Sequence, residues 1–484
     1  MYLGKLTDTL TSLNKQQIKA LKVYLASPYF GTRSIAVDLF EYLYKQYPEF
    51  EDKLLSPDKI KRHVKSLYTV HIQKKAASEL LKAIEHFLAI ENWEQNQQAV
   101  SLYKLKALQQ QHLFESFERE YKTAGEELLT AKEQDHHAFL QHFLLTELSY
   151  NNFTDRANRK DNHDLTPVFT RLNEFHALTT VFYLCEAHNR HVTFGTPLPS
   201  VNYQQLFETL KPYNNSRHPF AYLFITALHM QLATGYTESL RYYNVLKNEI
   251  TKQKQLQLPV HIRTVIPYCV QWCVQWLNRG NTKARIEYLW WAEFKIAHRI
   301  LLEKDKIFPV AFVNIISTAL RNGKPAEWIK GFIDTYSPHL PDGSAAFTDF
   351  GNGLYYYHVK DYTNALRHIR KAQLKTDMVY YAVLRRWEFI ISFELGADST
   401  EALLNQLKAY GRFVQRNKKE LAGKEAVFER FIHYASRFLQ LKETQMQSWL
   451  NQLKGEEYFP GKEWLLTVLP KKSPWLTSYR KLCL

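Results

Sequence analysis

Glycine and proline are scarce in this chain. Sixteen glycines and seventeen prolines stand in 484 residues, about 7% together where about 12% is usual. An all-β chain, needing a turn roughly every 8 to 12 residues, is poorly served by that supply. Disordered, collagen-like and linker-dominated architectures are excluded too, because 45% hydrophobic and 23% charged residues make an ordinary globular balance. Cysteine is sparse as well. Cys185, Cys269, Cys273 and Cys483 are too few and too scattered for the disulfide framework of small secreted domains. Long apolar runs are missing: the most apolar stretch, Phe308 to Leu320, is too short to span a bilayer. The opening Met-Tyr-Leu-Gly-Lys-Leu-Thr-Asp lacks the apolar core of a signal peptide. These absences predict a soluble, cytoplasmic protein without membrane insertion.

Positive charge is in surplus. There are 63 Lys and Arg against 48 Asp and Glu, a formal net charge of +15. Between Lys53 and Lys82, the basic residues Lys53, Lys59, Lys61, Arg62, Lys65, Lys74, Lys75 and Lys82 face only Asp58 and Glu79. A second basic stretch, Arg367 to Lys424, includes Arg385, Arg386, Arg412, Arg416, Lys418 and Lys419, and the tail adds Lys471, Lys472, Arg480 and Lys481. A basic face is the electrostatic footprint of a nucleic-acid or other polyanion binder. Lys61, Arg62, Lys65, Lys74, Lys75, Arg385 and Arg386 are the candidate contacts. The plainer reading is a solvated helical surface, since no nucleic-acid motif accompanies the charge.

Helical periodicity dominates the chain. Leu13, Ile18, Leu21, Tyr24 and Leu25 approximate one buried helical face, which ends at Ser27-Pro28, where proline disfavours helix in the residue before it. Further on, apolar runs stop at Gly235, Gly280, Gly323 and Gly396, glycines placed to supply the left-handed residue that closes a last helical turn. New amphipathic runs begin at Thr237, Pro325 and Ser399. Pro325 suits a first helical position, and Asp398 with Glu401 has capping-box spacing. This predicts a succession of helix hairpins in three regions: an N-terminal helical module (1–95), a divergent helical-repeat array (96–340), and C-terminal repeats with a tail (341–484). Residues 151–164, 195–200 and 338–343 read as loops.

Residues 350–372 carry the strongest pattern. Gly353 and Tyr356 share a face of one helix; after a turn at Lys360-Asp361, Ala365, Ile369 and Ala372 form a stripe on the next. Small residues let the two helices approach closely, with Tyr356 and Tyr362 filling the gaps. This unit resembles the tetratricopeptide repeat. It departs from that pattern at Asp349, where an aromatic is expected and Phe350 stands beside it, and at Asp377, where the closing proline would stand. Gly235-Tyr-Thr-Glu-Ser-Leu-Arg241 echoes Asp361-Tyr-Thr-Asn-Ala-Leu-Arg367. The whole chain also resembles an uncharacterised family of bacterial helical-repeat proteins, through Tyr24-Leu-Ala-Ser-Pro-Tyr-Phe30, Leu39-Phe-Glu-Tyr-Leu43, Tyr47-Pro-Glu-Phe50, Trp328-Ile-Lys-Gly-Phe-Ile333 and Tyr336. The resemblances imply an all-α, right-handed array of antiparallel helix hairpins, a tetratricopeptide-like α-solenoid, and contribute nothing about catalysis.

Chemistry-bearing clusters are few. Cys185, His188 and His191 lie at three-residue steps, but no second Cys/His segment completes a four-ligand zinc site. His136, His137 and His142, with Glu133 and Asp135, do not form the His-Glu-x-x-His pattern and read as a solvated face. Cys269 and Cys273 are four apart rather than in Cys-x-x-Cys spacing, and read as packing residues. No phosphate-cradling glycine loop or nucleophile elbow is present. The aromatic group Trp272, Trp276, Tyr288, Trp290, Trp291 and Phe294 reads mainly as core, with a concave binding face as the alternative. The sequence therefore predicts no catalytic or metal-binding residues and no cofactor. Its leading functional expectation is a non-enzymatic scaffold holding a protein or peptide partner on a concave face; the alternative is nucleic-acid or other polyanion binding through the basic stretches.

Overall fold

In the computed structural model, residues 3–130, 136–156, 164–215, 218–253, 258–374, 377–396, 398–421 and 423–472 are described. Among them are 23 α-helices, and the only strand-like pairing is an isolated bridge between Glu303 and Lys306. The expected all-α class is what the chain adopts. It divides into two compact units, Met1–Ala131 with Leu140–Leu172, and Lys132–Phe139 with Asn173–Leu484.

In the first unit, α1 (Gly4–Ser12), α2 (Lys15–Ala26), α3 (Ser34–Tyr44), α4 (Pro57–His63) and α5 (Val70–Gln95) enclose a core running from Leu3 to Phe87. The helix expected from Leu13 starts later. Asn14 caps α2, its side-chain oxygen accepting the backbone N–H of Gln16 and Gln17 at 2.9 Å, while Gln17 accepts that of Asn14 at 3.1 Å. This reciprocal box satisfies donors that have no partner within the helix. Leu13 ends α1 instead, and Ile18, Leu21, Tyr24 and Leu25 carry the buried stripe.

Helices α6 (Gln97–Gln110), α7 (Phe114–Thr130) and α8 (His136–Arg156) follow; Leu105, Phe117, Ala124, Leu128 and Leu145 form a small core between them. Helix α8 corrects the loop expected from residue 151. Its polar residues clasp neighbouring helices: buried Asn152 donates to Glu118 at 3.2 Å, Gln109 donates to Asp155 at 2.9 Å, and Arg156 reaches Glu118 at 3.4 Å. Residues 157–163 lie outside the described residues.

The second unit takes in most of α9 (Thr166–Phe194), then α10 (Tyr203–Leu210), α11 (Pro219–Leu232), α12 (Tyr236–Thr251), α13 (Val260–Asn278), α14 (Thr282–Ala297), α15 (Pro309–Arg321) and α16 (Ala326–Tyr336). It continues with α17 (Ala345–His358), α18 (Tyr362–Lys371), α19 (Met378–Leu395), α20 (Thr400–Arg416), α21 (Glu425–Gln440), α22 (Met446–Gly455) and α23 (Lys462–Lys472). Consecutive helices pack as pairs: α11 on α12, α13 on α14, α15 on α16, α17 on α18, α20 on α21. Gly280, Gly323 and Gly396 have φ of +83°, +67° and +68°, closing α13, α15 and α19 in the left-handed conformation. Gly235 does not: with φ −100° it is the N-cap of α12, because α11 has already ended through extended Ala233. Pro325 stands just before α16 rather than inside it. Ser399, not Asp398, caps α20, accepting the Ala402 N–H at 3.2 Å.

A repeat array is quasi-one-dimensional, each hairpin touching only its neighbours. This unit has further closures. Tyr380 on α19 donates to Asn314 on α15 at 3.2 Å, Trp464 on α23 donates to Glu394 on α19 at 3.0 Å, and Glu463 takes Arg285 of α14 at 3.1 Å. Helix α19 therefore has partners both along the chain and far from it, and its residues contribute to both large cores of the unit.

Candidate functional site

The hairpin α17–α18 is built on a close approach. A β-carbon on Gly353 would lie 2.7 Å from Ile369 Cδ1 and 3.4 Å from the Ala365 carbonyl oxygen. Ala365, Ile369 and Ala372 are buried. Tyr356 stacks on His368 with ring centroids 5.3 Å apart, and Tyr362 packs obliquely on Tyr357 at 5.8 Å. Gly353, Ala365 and Ile369 meet in the helix interface, with the half-buried Tyr356 and Tyr362 beside them.

The side chains of Cys185, His188 and His191 take separate partners. Cys185 is buried and its thiol donates to the Phe224 carbonyl at 3.3 Å; His188 pairs with the Tyr203 hydroxyl at 2.9 Å, and His191 with the Thr196 carbonyl at 2.7 Å. His136 stacks on Phe182 at 4.2 Å; Glu133 and Asp135, like Cys483, lie outside the described residues. Among the described residues, no group of three His, Cys, Asp or Glu side chains is placed to hold a metal. Burial pushes the thiols of Cys185, Cys269 and Cys273 up, away from the reactive thiolate.

The aromatic group surrounds a polar network. The Tyr243 hydroxyl donates to Glu287 at 2.5 Å and accepts from Trp291 Nε1 at 3.0 Å and from the Cys273 thiol at 3.8 Å. Lys247 donates to the same Glu287 oxygen at 2.5 Å, its ammonium 4.1 Å from the centroid of the Trp290 ring. Burial holds the Tyr243 phenol protonated far above its ordinary range. Trp272, Tyr288 and Trp291 are buried, whereas Trp276, Trp290 and Phe294 are half-buried. Sequence reading missed the network because Tyr243, Lys247 and Glu287 come from two different hairpins.

The basic candidates separate into two kinds. Lys61 and Arg62 in the last turn of α4, Lys65 just after it, and Lys74 and Lys75 on α5 are exposed. Arg385 is half-buried and engaged, donating to Glu388 at 3.2 Å and Tyr381 at 2.7 Å. Arg386 is buried, which removes it from any solvent-facing patch: α19 turns this side toward its distant partners. Arg480 and Lys481 lie outside the described residues.

Open grooves lie on both units. In the first unit, a groove of about 570 Å³ runs between α6 and α8, with Leu102, Leu144 and Leu148 apolar and Lys106, Glu147 and Asp155 charged. Exposed Tyr103 lies on it, edge-on to Trp93 of α5 at 6.5 Å. In the second unit, a shallow groove of about 800 Å³ lies along α20 and α21 and is lined by Lys408, Arg412 and Arg416. These cations fall at every fourth residue of α20, so one face presents all three. No family model, characterised protein or solved structure matches the chain. Among the described residues no helix is long and apolar enough to cross a membrane.

Proposed function

We propose that this chain is a non-enzymatic helical scaffold, a right-handed array of tetratricopeptide-like hairpins working in the cytoplasm, that holds a segment of a partner protein. The observation that carries the reading is the α6–α8 groove. Its leucines are only half-buried, Tyr103 is 63% exposed, and the wall carries Glu147. That combination fits a helical or extended segment that buries an apolar side chain and sets a cation against Glu147. The test is a photo-crosslinking amino acid at Tyr103 in the full-length protein inside cells. Crosslinks to one protein, abolished by Leu144→Glu, support the reading; crosslinks to nucleic acid, or none, overturn it.

A second reading is supported by the α20 groove. Lys408, Arg412 and Arg416 are exposed and have no ion pair among the described residues, so they are free to neutralise the phosphates of a nucleic acid. Replacing all three by Glu should weaken binding to single-stranded nucleic acid and reduce the log–log salt slope by about two. An unchanged slope removes this face from consideration.

A further inference from the structure

Helix α20 carries three exposed cations as a single row. Lys408, Arg412 and Arg416 recur at every fourth residue, about 6 Å apart along the helix axis. None has an ion pair among the described residues. One residue back lies a second row, Leu407, Gly411 and Gln415, which lines the groove of about 800 Å³ together with Ile432 and Ser436 of α21. Successive residues are rotated by about 100° around a helix, so the cations form a rim and the second row forms the floor beside α21.

Gly411 opens the middle of that floor. Leu407 is buried beneath the groove, and Gln415 donates to Glu429 at 2.5 Å. Between them Gly411 has no side chain, and a β-carbon built on it would meet only Ile432 Cγ2, at 3.9 Å. That is ordinary contact distance, unlike the 2.7 Å that excludes a β-carbon at Gly353. Glycine weakens a helix interior relative to alanine, and close helix packing does not require it here. What it provides is open space next to a row of unpaired cations.

A flat ring joined to an anionic backbone fits both features. Phosphates repeat along the rim, a ring lies on the floor against Ile432, and the guanidinium plane of Arg412 offers a stacking surface. A duplex keeps its bases paired and cannot lay one on the floor. An acidic peptide satisfies the rim but brings no flat ring to the space over Gly411.

We propose that this groove binds single-stranded nucleic acid, with phosphates on Lys408, Arg412 and Arg416 and a nucleobase laid between Gly411 and Ile432. The inference rests on the second reading above and adds to it the strand state and the base contact.

The test uses the full-length protein with a short fluorescent oligothymidylate and an abasic oligomer of equal length and charge. Wild type should bind the thymidylate about tenfold tighter, the worth of roughly one stacked base. Gly411→Leu fills the floor without altering charge. It should bring thymidylate down to the abasic affinity, leave abasic binding and the salt slope unchanged, and fold at least as well as wild type, leucine being the better helix former. Gly411→Ala leaves most of the floor open and should bind as wild type does. Equal affinity for the two oligomers, equal loss of both in Gly411→Leu, or equally tight binding of a duplex or of a polyglutamate peptide of matched charge would overturn the proposal. Replacing Lys408, Arg412 and Arg416 together by Glu separates that failure from failure of the reading beneath it. A log–log salt slope reduced by about two keeps the phosphate contacts and strikes only the base, whereas an unchanged slope removes both.

Discussion

Gly353→Ala sets two known effects against each other inside α17. Alanine is favoured over glycine in a helix interior by about 1 kcal/mol. The added methyl, however, would stand 2.7 Å from Ile369 Cδ1, 2.8 Å from its Cγ1 and 3.4 Å from the Ala365 carbonyl oxygen. Overpacking of this kind costs about 1–3 kcal/mol. Ile369 is buried, and its β-branched stem is stiff, so Cγ1 cannot swing clear even if Cδ1 does. Overpacking therefore wins, and the variant should be destabilised by about 1 kcal/mol. Ile369→Val removes Cδ1 and alone costs about 1 kcal/mol. Combined with Gly353→Ala it should cost less than the sum by about 0.5–1 kcal/mol, because the new methyl enters the vacated space. Gly331→Ala in α16, with nothing within 4 Å of the added methyl, is the control and should stabilise by about 0.5–1 kcal/mol. Urea titrations of the four variants give these differences from midpoint shifts at constant slope. Gly353→Ala stabilising as Gly331→Ala does, with no coupling to Ile369, would show that α17 and α18 do not meet closely.

Gly280→Ala meets two penalties, the left-handed φ of +83° and a methyl 2.7 Å from the Tyr458 ring. It should lose about 2–4 kcal/mol in urea titration, against about 1 kcal/mol for Gly323→Ala, whose surroundings are open. Burial raises the phenols of Tyr243, Tyr268, Tyr288, Tyr357, Tyr380 and Tyr410. In the unfolded chain they ionise near pH 10, so above that pH the unfolded state binds fewer protons and stability falls as pH rises. Ultraviolet phenolate titration should show these tyrosines ionising only as the fold is lost; smooth ionisation of all thirty tyrosines near pH 10 in folded protein would contradict their burial. Cys185, Cys269 and Cys273 should resist thiol-labelling reagents until denaturant unfolds the second unit, as mass spectrometry of partly labelled protein would record.

Much of the fold was legible because helical order is written locally. Gly280, Gly323 and Gly396 close helices from a one-residue signal, and the 350–372 spacing sets Gly353 against Ile369 across a short turn. The errors are local competitions lost to tertiary packing or to a rival cap. Asn14 outcompetes Leu13 as a helix start because its side chain satisfies two backbone donors. The polar run from residue 151 stays helical because Asn152 and Asp155 find partners on α7 and α6. Polarity alone could not reveal those partners.

Function was less legible for the same reason taken further. Adjacent in sequence, Arg385 and Arg386 formed one basic pair; on α19 the first meets Glu388 and the second is buried beside Gly461. A signal read along the chain cannot separate them, because what distinguishes them is α19's contact with elements about seventy residues away on either side. Those closures also change what the array can do. A strictly linear solenoid distributes its stability hairpin by hairpin, whereas the Arg285–Glu463 and Arg321–Glu463 pairs join segments 178 and 142 residues apart. Loss of α23 should therefore loosen α14 and α15 as well as its chain neighbour α22. Hydrogen exchange after Glu463→Ala distinguishes the two architectures: deprotection of Thr282–Arg321 together with the C-terminus marks a closed unit, and deprotection confined to residues after 440 marks a linear one.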